Sequence, residues 1–527
     1  MWGVCVSLFA LVETVDDIRE YMGISYIKAY LVSKGVSCDL QVICRSQMDE
    51  VLNQYEEFPD IIGISVYCNT VELTKEFCEK VKKISPKCHI VLGGAHVMGY
   101  EEDILTRMPA VDSICKGEGE LTFWDLTDRI ANNKSLRGCK GITYREDGQI
   151  IKNERREDIK DLNGLPRPER DYNTKNKKRY FYITGSRGCL GVCTFCGEHT
   201  TAGCGVRLRD SVDIVDEMED LWKKYGVNKF HFTDATFEDP GRVGLDRAKR
   251  IFQEIIERNL KFRLVMYTRT NVVTRMDDDY YDLAYRAGVE CYFVGVESGN
   301  QKDLDLYNKK ITVEDNYKAI RLLLNHRIYV NYGFICFNPY SDFDRIKENL
   351  EFLHNSGLVY NSYHILSRMT IMPQSRLKKM LMEDGLVKEF HFDSDIRNYK
   401  FVNPEIGIFH DYVYKKIHTK DLIDLDSQIA IDRFHYEKAE PQLYEEKLKV
   451  YFDEVKEVWK ERNHYLYEFF MEAIRLFEEH GISDELEQHV DKNIIYEYDR
   501  RIRNLYRRYV SVLYKHSKEE RILNEQE

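Results

Sequence analysis

Three cysteines, Cys189, Cys193 and Cys196, fall within eight residues in the stretch Gly185-Ser186-Arg187-Gly188-Cys189-Leu190-Gly191-Val192-Cys193-Thr194-Phe195-Cys196-Gly197. Thiolates are soft ligands that select iron–sulfur clusters or zinc. Structural zinc wants four closed ligands, commonly as two separated pairs. Here there are three, and Cys204 lies eight residues beyond, too isolated to complete a normal pair. A cubane normally takes four cysteines, so three leave one iron open to a substrate or cofactor. Gly188, Gly191 and Gly197 let the backbone wrap closely around an inorganic cluster.

The elements that must position this loop are legible around it. Strands are expected near 180–185, 228–233, 262–269, 289–296, 328–337 and 362–371, and helices near 211–225, 244–259, 277–287, 313–326 and 342–356. Six βα-type units suit a barrel or open part-barrel, with chemistry on the loops at the strand C-termini. The cysteine loop follows the first of these strands. Upstream, strands near 2–9, 38–44, 60–66, 88–93 and 111–115 alternate with helices near 19–34, 71–84 and 119–131. That alternation predicts a parallel sheet covered by helices on both faces. Its ligand-binding loops are expected at Ser65–Thr70, Gly93–Gly99 and Lys116–Glu120.

Between these two regions, Asp147-Gly148 marks a hairpin and Leu165-Pro166-Arg167-Pro168 an extended linker. Beyond about residue 380, apolar residues recur at helical spacing, including Leu448, Phe452, Val455, Leu466, Phe470 and Ile474. Arg500, Arg503 and Arg507 read as a solvated helix face. The domain organisation expected is 1–140, a hairpin and linker over 141–175, a part-barrel over 176–380, and a helical substrate or lid domain over 381–527.

Bulk composition bounds the partners. The chain has 527 residues, 43% hydrophobic and 31% charged, as in a soluble globular protein. With 77 basic and 89 acidic residues the net charge is −12, which gives no global attraction to nucleic acid or an anionic membrane. The apolar start, Met1 to Leu11, soon meets Glu13, Asp16 and Asp17. It is too short to span a bilayer and lacks the basic start and cleavage site of a signal peptide, so it reads as a buried strand. Fourteen cysteines without an export signal imply reduced thiols and a cytoplasmic location. Cys44, Cys88, Cys115 and Cys336 sit in apolar runs and read as small core residues.

CxxxCxxC with Phe195 just before the third cysteine, after the first strand of a part-barrel, resembles the radical S-adenosylmethionine (SAM) superfamily. Further stretches match in order: Phe230-His231-Phe232-Thr233-Asp234 at the second strand, Tyr267-Thr268-Arg269-Thr270-Asn271 at the third, and Val294-Gly295-Val296-Glu297-Ser298-Gly299 at the fourth. Phe334-Ile335-Cys336-Phe337-Asn338-Pro339 corresponds to the fifth. The resemblance implies a [4Fe-4S] cluster on Cys189, Cys193 and Cys196 whose open iron chelates SAM, and reductive cleavage of SAM to a 5′-deoxyadenosyl radical. It also implies SAM contacts at Phe195, Asp234, Arg269, Glu297 and Ser298.

The first domain resembles the Rossmann-like cobalamin-binding domain fused to one large radical SAM subfamily. The matching stretches are Asp60-Ile61-Ile62-Gly63-Ile64-Ser65, Val91-Leu92-Gly93-Gly94-Ala95-His96 and Gly117-Glu118-Gly119-Glu120. The resemblance implies corrin contacts at Ser65, Tyr67, Asn69, Thr70, Gly93, Gly94, His96, Gly117, Glu118 and Glu120. The DxHxxG motif of cobalamin mutases is absent, since the second βα region reads Val42-Ile43-Cys44-Arg45-Ser46-Gln47. His96, in a different loop, is therefore not expected to ligate cobalt.

The fold class so implied is α/β: an N-terminal cobalamin-binding domain, a radical SAM partial (β/α)6 barrel and a C-terminal α-helical domain. The activity implied is methyl transfer from methylcobalamin to an unactivated carbon of a peptide or specialised metabolite, with reducing equivalents from a donor such as flavodoxin or ferredoxin. Alternatives are a cobalamin-using cyclase or rearrangement enzyme, a methylthiotransferase, and a corrin-binding sensor or carrier without catalysis.

Overall fold

The computed structural model describes residues 4–14, 20–170, 180–197, 205–418, 429 and 445–524. Cys204, Asp16, Asp17 and the first three residues lie outside these, as does the side chain of Leu448. The chain divides into two units, Met1–Met266 with Thr370–Asn398, and Tyr267–Met369 with Tyr399–Glu527.

The first unit opens with a sheet of order β2-β1-β3-β4-β5-β6-β7. β1 (Cys5–Val12), β2 (Ser37–Cys44), β3 (Ile61–Ser65), β4 (His89–Gly93) and β5 (Ser113–Cys115) pair in parallel. β1 is buried at all but its first residue, as a continuous apolar run in a doubly covered strand should be. Helices α1 (Met22–Ser33), α2 (Met48–Asn53), α3 (Val71–Ile84), α4 (Glu101–Arg107) and α5 (Gly119–Ala131) connect the strands. Ile24 and Leu31 of α1 and Phe123 and Leu126 of α5 join Leu8 and Val91 of the sheet in one core. Ser65 lies opposite Gly93 in the β3–β4 register, so the loops after β3 and β4 leave the sheet together at its carboxyl edge.

The hairpin forms as expected, from β6 (Ile142–Glu146) and β7 (Gln149–Lys152). Asp147 and Gly148 both take positive φ, at 48° and 77°, which is the chemistry of a tight two-residue turn. It extends the N-terminal sheet, with β6 antiparallel to β5.

Next come β8 (Phe181–Ile183), β9 (Ser186–Arg187), β10 (Arg207–Leu208), β11 (Lys229–Phe232) and β12 (Arg263–Arg269). β8, β11 and β12 lie in that order and in parallel, with helices at Ser211–Tyr225 and Gly241–Glu257 between them. β12 passes from the first unit into the second at Met266–Tyr267. The second unit carries β13 (Val289–Glu297) and β14 (Tyr329–Phe334), also parallel, with helices Val313–Asn325 and Phe343–Asn355. This is the partial barrel of the radical SAM fold.

Its sixth strand differs from expectation. Residues 362–371 begin as a short helix, Ser362–Ile365, capped by the Asn361 side chain, and contribute only a single parallel bridge, Phe337 to Arg368. The helical C-terminal region is present, with helices Pro404–Ile417, Glu445–His480, Asp484–Asp491 and Ile495–Asn524. Phe452, Val455 and Trp459 pack there against Ile502 and Leu505, while Arg500, Arg503 and Arg507 face solvent.

Candidate functional site

The cysteine loop is braced before it begins. β8 ends at Ile183, and the buried Asp234 carboxylate beyond β11 accepts the Gly185 N–H at 2.8 Å and the Ser186 hydroxyl at 2.7 Å. Arg247 donates to the same carboxylate at 2.9 Å and to the Gly185 carbonyl at 2.6 Å. Both Asp234 oxygens thus hold the turn into the cluster loop. Ser186–Arg187 then pairs antiparallel with Arg207–Leu208. At Gly188 φ is +98°, and a Cβ there would lie 2.0 Å from the Gly205 carbonyl oxygen, so only glycine fits.

Cys189, Cys193 and Cys196 follow, each partly exposed, and the Cys189 sulfur accepts the Gly191 N–H at 3.2 Å. An N–H donor to a thiolate is the kind of outer contact that tunes an iron–sulfur centre. Among the described residues no three Cys, His, Asp or Glu side chains converge on one ion-sized point. The thiolates of a cubane each take a separate iron and need no such convergence. Three soft donors on one glycine-bearing loop fit a cluster with an open corner.

Beside this loop the first unit holds a cavity of about 320 Å³. One wall is the carboxyl edge of the N-terminal sheet, at Ser65, Gly93, Gly94, Gly117, Glu118 and Glu120. The other is the approach to the cluster, at Thr184, Ser186, Arg187, Gly188, Thr233 and Ala235. An apolar recess, lined by Leu8, Ile27, Gly63, Val91 and Phe123, runs inward from it. Gly63 lets Phe123 and Leu8 pack directly onto the strand, because a Cβ there would meet them at 2.6 Å and 2.7 Å. Gly94, at φ +99°, leaves no room for a side chain against Val66, whose carbonyl would be 2.9 Å away. A cradle cleared of side chains, with an apolar recess behind it, fits a large flat ligand carrying an aromatic tail.

Glu118 and Glu120 reach across this cavity. Arg187 donates to Glu118 at 2.9 Å and to Glu120 at 2.5 Å, and its guanidinium lies 4.9 Å from the Tyr26 ring centre. Arg207 donates to both oxygens of Glu118, at 2.9 and 2.8 Å. Burial pushes the Glu118 carboxyl up, but the Arg187 charge and the Arg207 hydrogen bond outweigh it and hold the group below its ordinary value. All four side chains are mostly buried.

The remaining nominated residues of the first domain divide. Ser65 lines the cavity. Thr70 is buried and closes the turn into α3, accepting the Tyr67 N–H at 3.1 Å and donating to its carbonyl. Tyr67 and Asn69 are exposed on that loop, and the Tyr67 ring meets Tyr21 edge-on. His96 is buried, with its Nε2 at 3.0 Å from the Phe392 carbonyl oxygen and its ring against Tyr100 and Phe392. That carbonyl occupies one ring nitrogen.

In the second unit, Arg269 closes β12, and Glu297 ends β13 at a non-glycine φ of 66° beside a bulge against β14. Backbone strain of this kind collects at functional sites. The Glu297 carboxylate pairs with Lys309 at 3.3 Å. Gly295 and Gly333 clear space for it, since a Cβ on either would come within 3.0 Å of a carboxylate oxygen. Ser298 is buried, and its hydroxyl donates to Asn349 at 2.8 Å and to Asp303 at 3.2 Å. Asp303 also accepts from Asn338 and Arg345. Burial raises its pKa despite these donors.

Sequence reasoning quoted Arg187 within the cysteine stretch but gave it no role, and it missed Arg207, Arg247, Lys309, Asp303 and Asn349. The signal available for Arg187 was its place beside Gly188-Cys189. For the others there was none: Arg207 and Asn349 meet partners 89 and 51 residues away, and the nearer pairs of Arg247, Lys309 and Asp303 follow no helical or strand spacing that marks them. Phe195 stands between the second and third thiols, half-buried.

The comparisons agree with this arrangement. Residues 10–127 match the B12 binding domain model and residues 183–353 the Radical SAM superfamily model. An uncharacterized methyltransferase of Pyrococcus horikoshii is 23% identical over 413 residues, covering 76% of this chain and 86% of that protein. The anaerobic magnesium-protoporphyrin IX monomethyl ester cyclase of Rubrivivax gelatinosus is 28% identical over 331 residues; the match covers 59% of this chain and 58% of the cyclase. Among solved structures, the cobalamin-dependent S-adenosylmethionine radical enzyme OxsB superposes with a TM-score of 0.70 at 20% identity, covering 98% of this chain and 81% of its own. With a B12-binding domain, a radical SAM part-barrel and a helical C-terminal region in one chain, the protein belongs to the cobalamin-dependent radical SAM enzymes.

Proposed function

We propose that this enzyme transfers a methyl group to an unactivated carbon of a peptide or small molecule, taking electrons from a flavodoxin- or ferredoxin-like donor. When bound, the cluster with SAM supplies a carbon-centred radical and the corrin supplies a transferable methyl group. One observation carries the reading: the glycine-lined wall at Gly93, Gly94 and Gly117 and the residues leading into Cys189 line the same cavity. Two cofactors held this close suit a reaction in which a substrate radical, made by one, meets a group carried by the other.

The chain's own residues supply placement. Cys189, Cys193 and Cys196 would hold the cluster, with Asp234 and Arg247 fixing the turn that presents it. Glu297 with Lys309, and Arg269 at the end of β12, would receive the polar groups of SAM. The Asp303–Asn349 pair, bonded to the Ser298 hydroxyl, keeps that strand end in place. Gly94, Gly117 and Ser65 would lie against the corrin, and the apolar recess at Leu8 and Phe123 would take its aromatic tail.

A second reading is ring formation without methyl transfer, favoured by the similarity to the magnesium-protoporphyrin cyclase over 59% of this chain. Anaerobically reconstituted enzyme, given cobalamin, SAM labelled in its methyl group, a reductant and candidate substrates, separates the two. Methyl transfer yields 5′-deoxyadenosine and a product heavier by one labelled methyl. Formation of 5′-deoxyadenosine with a product that has only lost hydrogen would support the cyclase reading and overturn ours.

A further inference from the structure

We propose that Arg187 is a positioning residue that couples the corrin site to the cluster site. The reading rests on both cofactors binding as above, but not on which reaction they perform. Arg187 is one residue before Gly188-Cys189, so its backbone belongs to the cluster loop, while its guanidinium is part of the wall of the corrin cavity. The two arms of that guanidinium go to two different carboxylates. Nη1 reaches Glu118 at 2.9 Å and Nη2 reaches Glu120 at 2.5 Å. Both acids stand at the start of α5, Glu118 as its N-cap and Glu120 in its first turn, at the carboxyl edge of the N-terminal sheet.

The arrangement is closed from behind. Arg207, paired to Arg187 across the two-stranded β9–β10 ladder, grips both oxygens of Glu118 and donates to the Ile159 carbonyl at 2.8 Å. The Ile159 N–H returns to Glu118 at 2.6 Å. A planar guanidinium that forks between two acids fixes direction as well as distance, and lysine, a single rotatable point charge, cannot reproduce it. Because these side chains are largely out of water, the pairs are little screened and breaking one leaves a buried charge without its partner. Any ligand that shifts Gly117–Glu120 therefore moves the residue that starts the cluster loop.

Such coupling must be reciprocal. If the corrin biases the cluster loop, filling the cluster must change the affinity for corrin by the same factor. The test is an anaerobic titration with hydroxocobalamin, followed by absorbance, of the full chain with and without its reconstituted cluster. In the native protein the two Kd values should differ by about fivefold or more, the lower range of measured couplings. In Arg187→Gln the ratio should fall to one, and in Arg187→Lys it should lie between. A residue that merely supported the fold would weaken both Kd values equally and leave the ratio unchanged.

Glu120→Ala, which removes one arm and keeps the Arg187–Glu118 pair, gives an independent reading should Arg187→Gln fold poorly, as does Glu120→Gln, which removes only its charge; in both the ratio should move toward one. A native ratio of one, or a native-like ratio kept in Arg187→Gln, Glu120→Ala or Glu120→Gln, overturns the proposal while leaving the cofactor assignment intact. If neither form of the native protein binds cobalamin, the cofactor reading falls and this proposal with it.

Discussion

Cys193 stands between the other two thiols on a loop whose entry is fixed twice, by Asp234 at Gly185 and by the glycine-only turn at Gly188. Replacing it removes a ligand without disturbing either brace. Cys193→Ala should abolish cluster assembly and 5′-deoxyadenosine formation while cobalamin still binds, as iron content, visible absorption and product analysis would show. Gly94 is the complementary case. A side chain there is strained by the backbone, at about 1–3 kcal/mol, and collides with the Val66 carbonyl and amide. Gly94→Val should weaken cobalamin binding at least tenfold, or about 1.4 kcal/mol, and leave the cluster's absorption unchanged. Undiminished cobalamin affinity in that variant would show that the glycine loop does not form the corrin cradle. The cysteines were readable in advance because soft ligands at short spacing are a local pattern. The acids were not, since Glu118 acquires its role from Arg187 and Arg207, at separations of 69 and 89 residues.

Parallel strands announced themselves as continuous apolar runs separated by amphipathic helices, and α3 and α5 fall at the residues expected. The short helices α2 and α4 gave no sign, because six or seven residues are too few for a 3.6-residue period to register. The sixth strand of the barrel was misjudged for a related reason. Its apolar run is real, but Asn361 caps a helical turn where strand pairing was expected. Least legible of all was the strap Thr370–Asn398, which belongs to the first unit although it follows the barrel in sequence. Irregular apart from Arg376–Glu383, it is placed by contacts remote in sequence, among them the Phe392 N–H to the Asp103 carboxylate at 2.7 Å. The Leu377 N–H reaches the Thr194 carbonyl in the cysteine loop at 2.8 Å, the Phe392 carbonyl meets His96, and Asp393 takes Lys75 at 2.7 Å with both arms of Arg107. The Lys75 hydrogen bond above all, with Arg107, holds the Asp393 carboxyl down at about 2. Its anchoring is thus complete above about pH 4 and is lost as pH falls toward 2. These pairs are partly exposed, so Asp393→Asn should cost the whole protein no more than about 1 kcal/mol. Amide exchange over 390–396 should nonetheless quicken at neutral pH. Equal exchange in the variant and the native protein would mean that the Asp393 pairs do not hold the strap.

Among the described residues, the partly buried imidazoles of His89, His231 and His364 have their ordinary titration strongly suppressed. Burial lowers His89, in the N-terminal sheet, to about 4. Burial, helped by the Lys229 charge, lowers His231, on the second barrel strand, to about 3. Burial, with Arg462 nearby, takes His364 in the second unit to about 3. In the unfolded chain each titrates near its ordinary value of about 6.5. Unfolding therefore takes up protons throughout the interval between these values. The stability these residues contribute is complete above about pH 6.5 and drains away on acidification toward 4 and then 3. Each proton is worth about 1.4 kcal/mol per pH unit, so the three together steepen the acid limb by about 4 kcal/mol per unit near pH 5. His231 offers a clean dissection. Its ring stacks on Tyr180 at 4.1 Å, and among the described residues its Nε2 has no hydrogen-bond partner. His231→Phe keeps an aromatic ring in the stack and removes the titration. Urea denaturation at pH 7, 5.5 and 4.5 should show similar stability for variant and native protein at the first pH, and a slope shallower by one proton for the variant below it. Parallel pH profiles for the two would mean that His231 is already charged in the folded chain and that the acid sensitivity arises elsewhere.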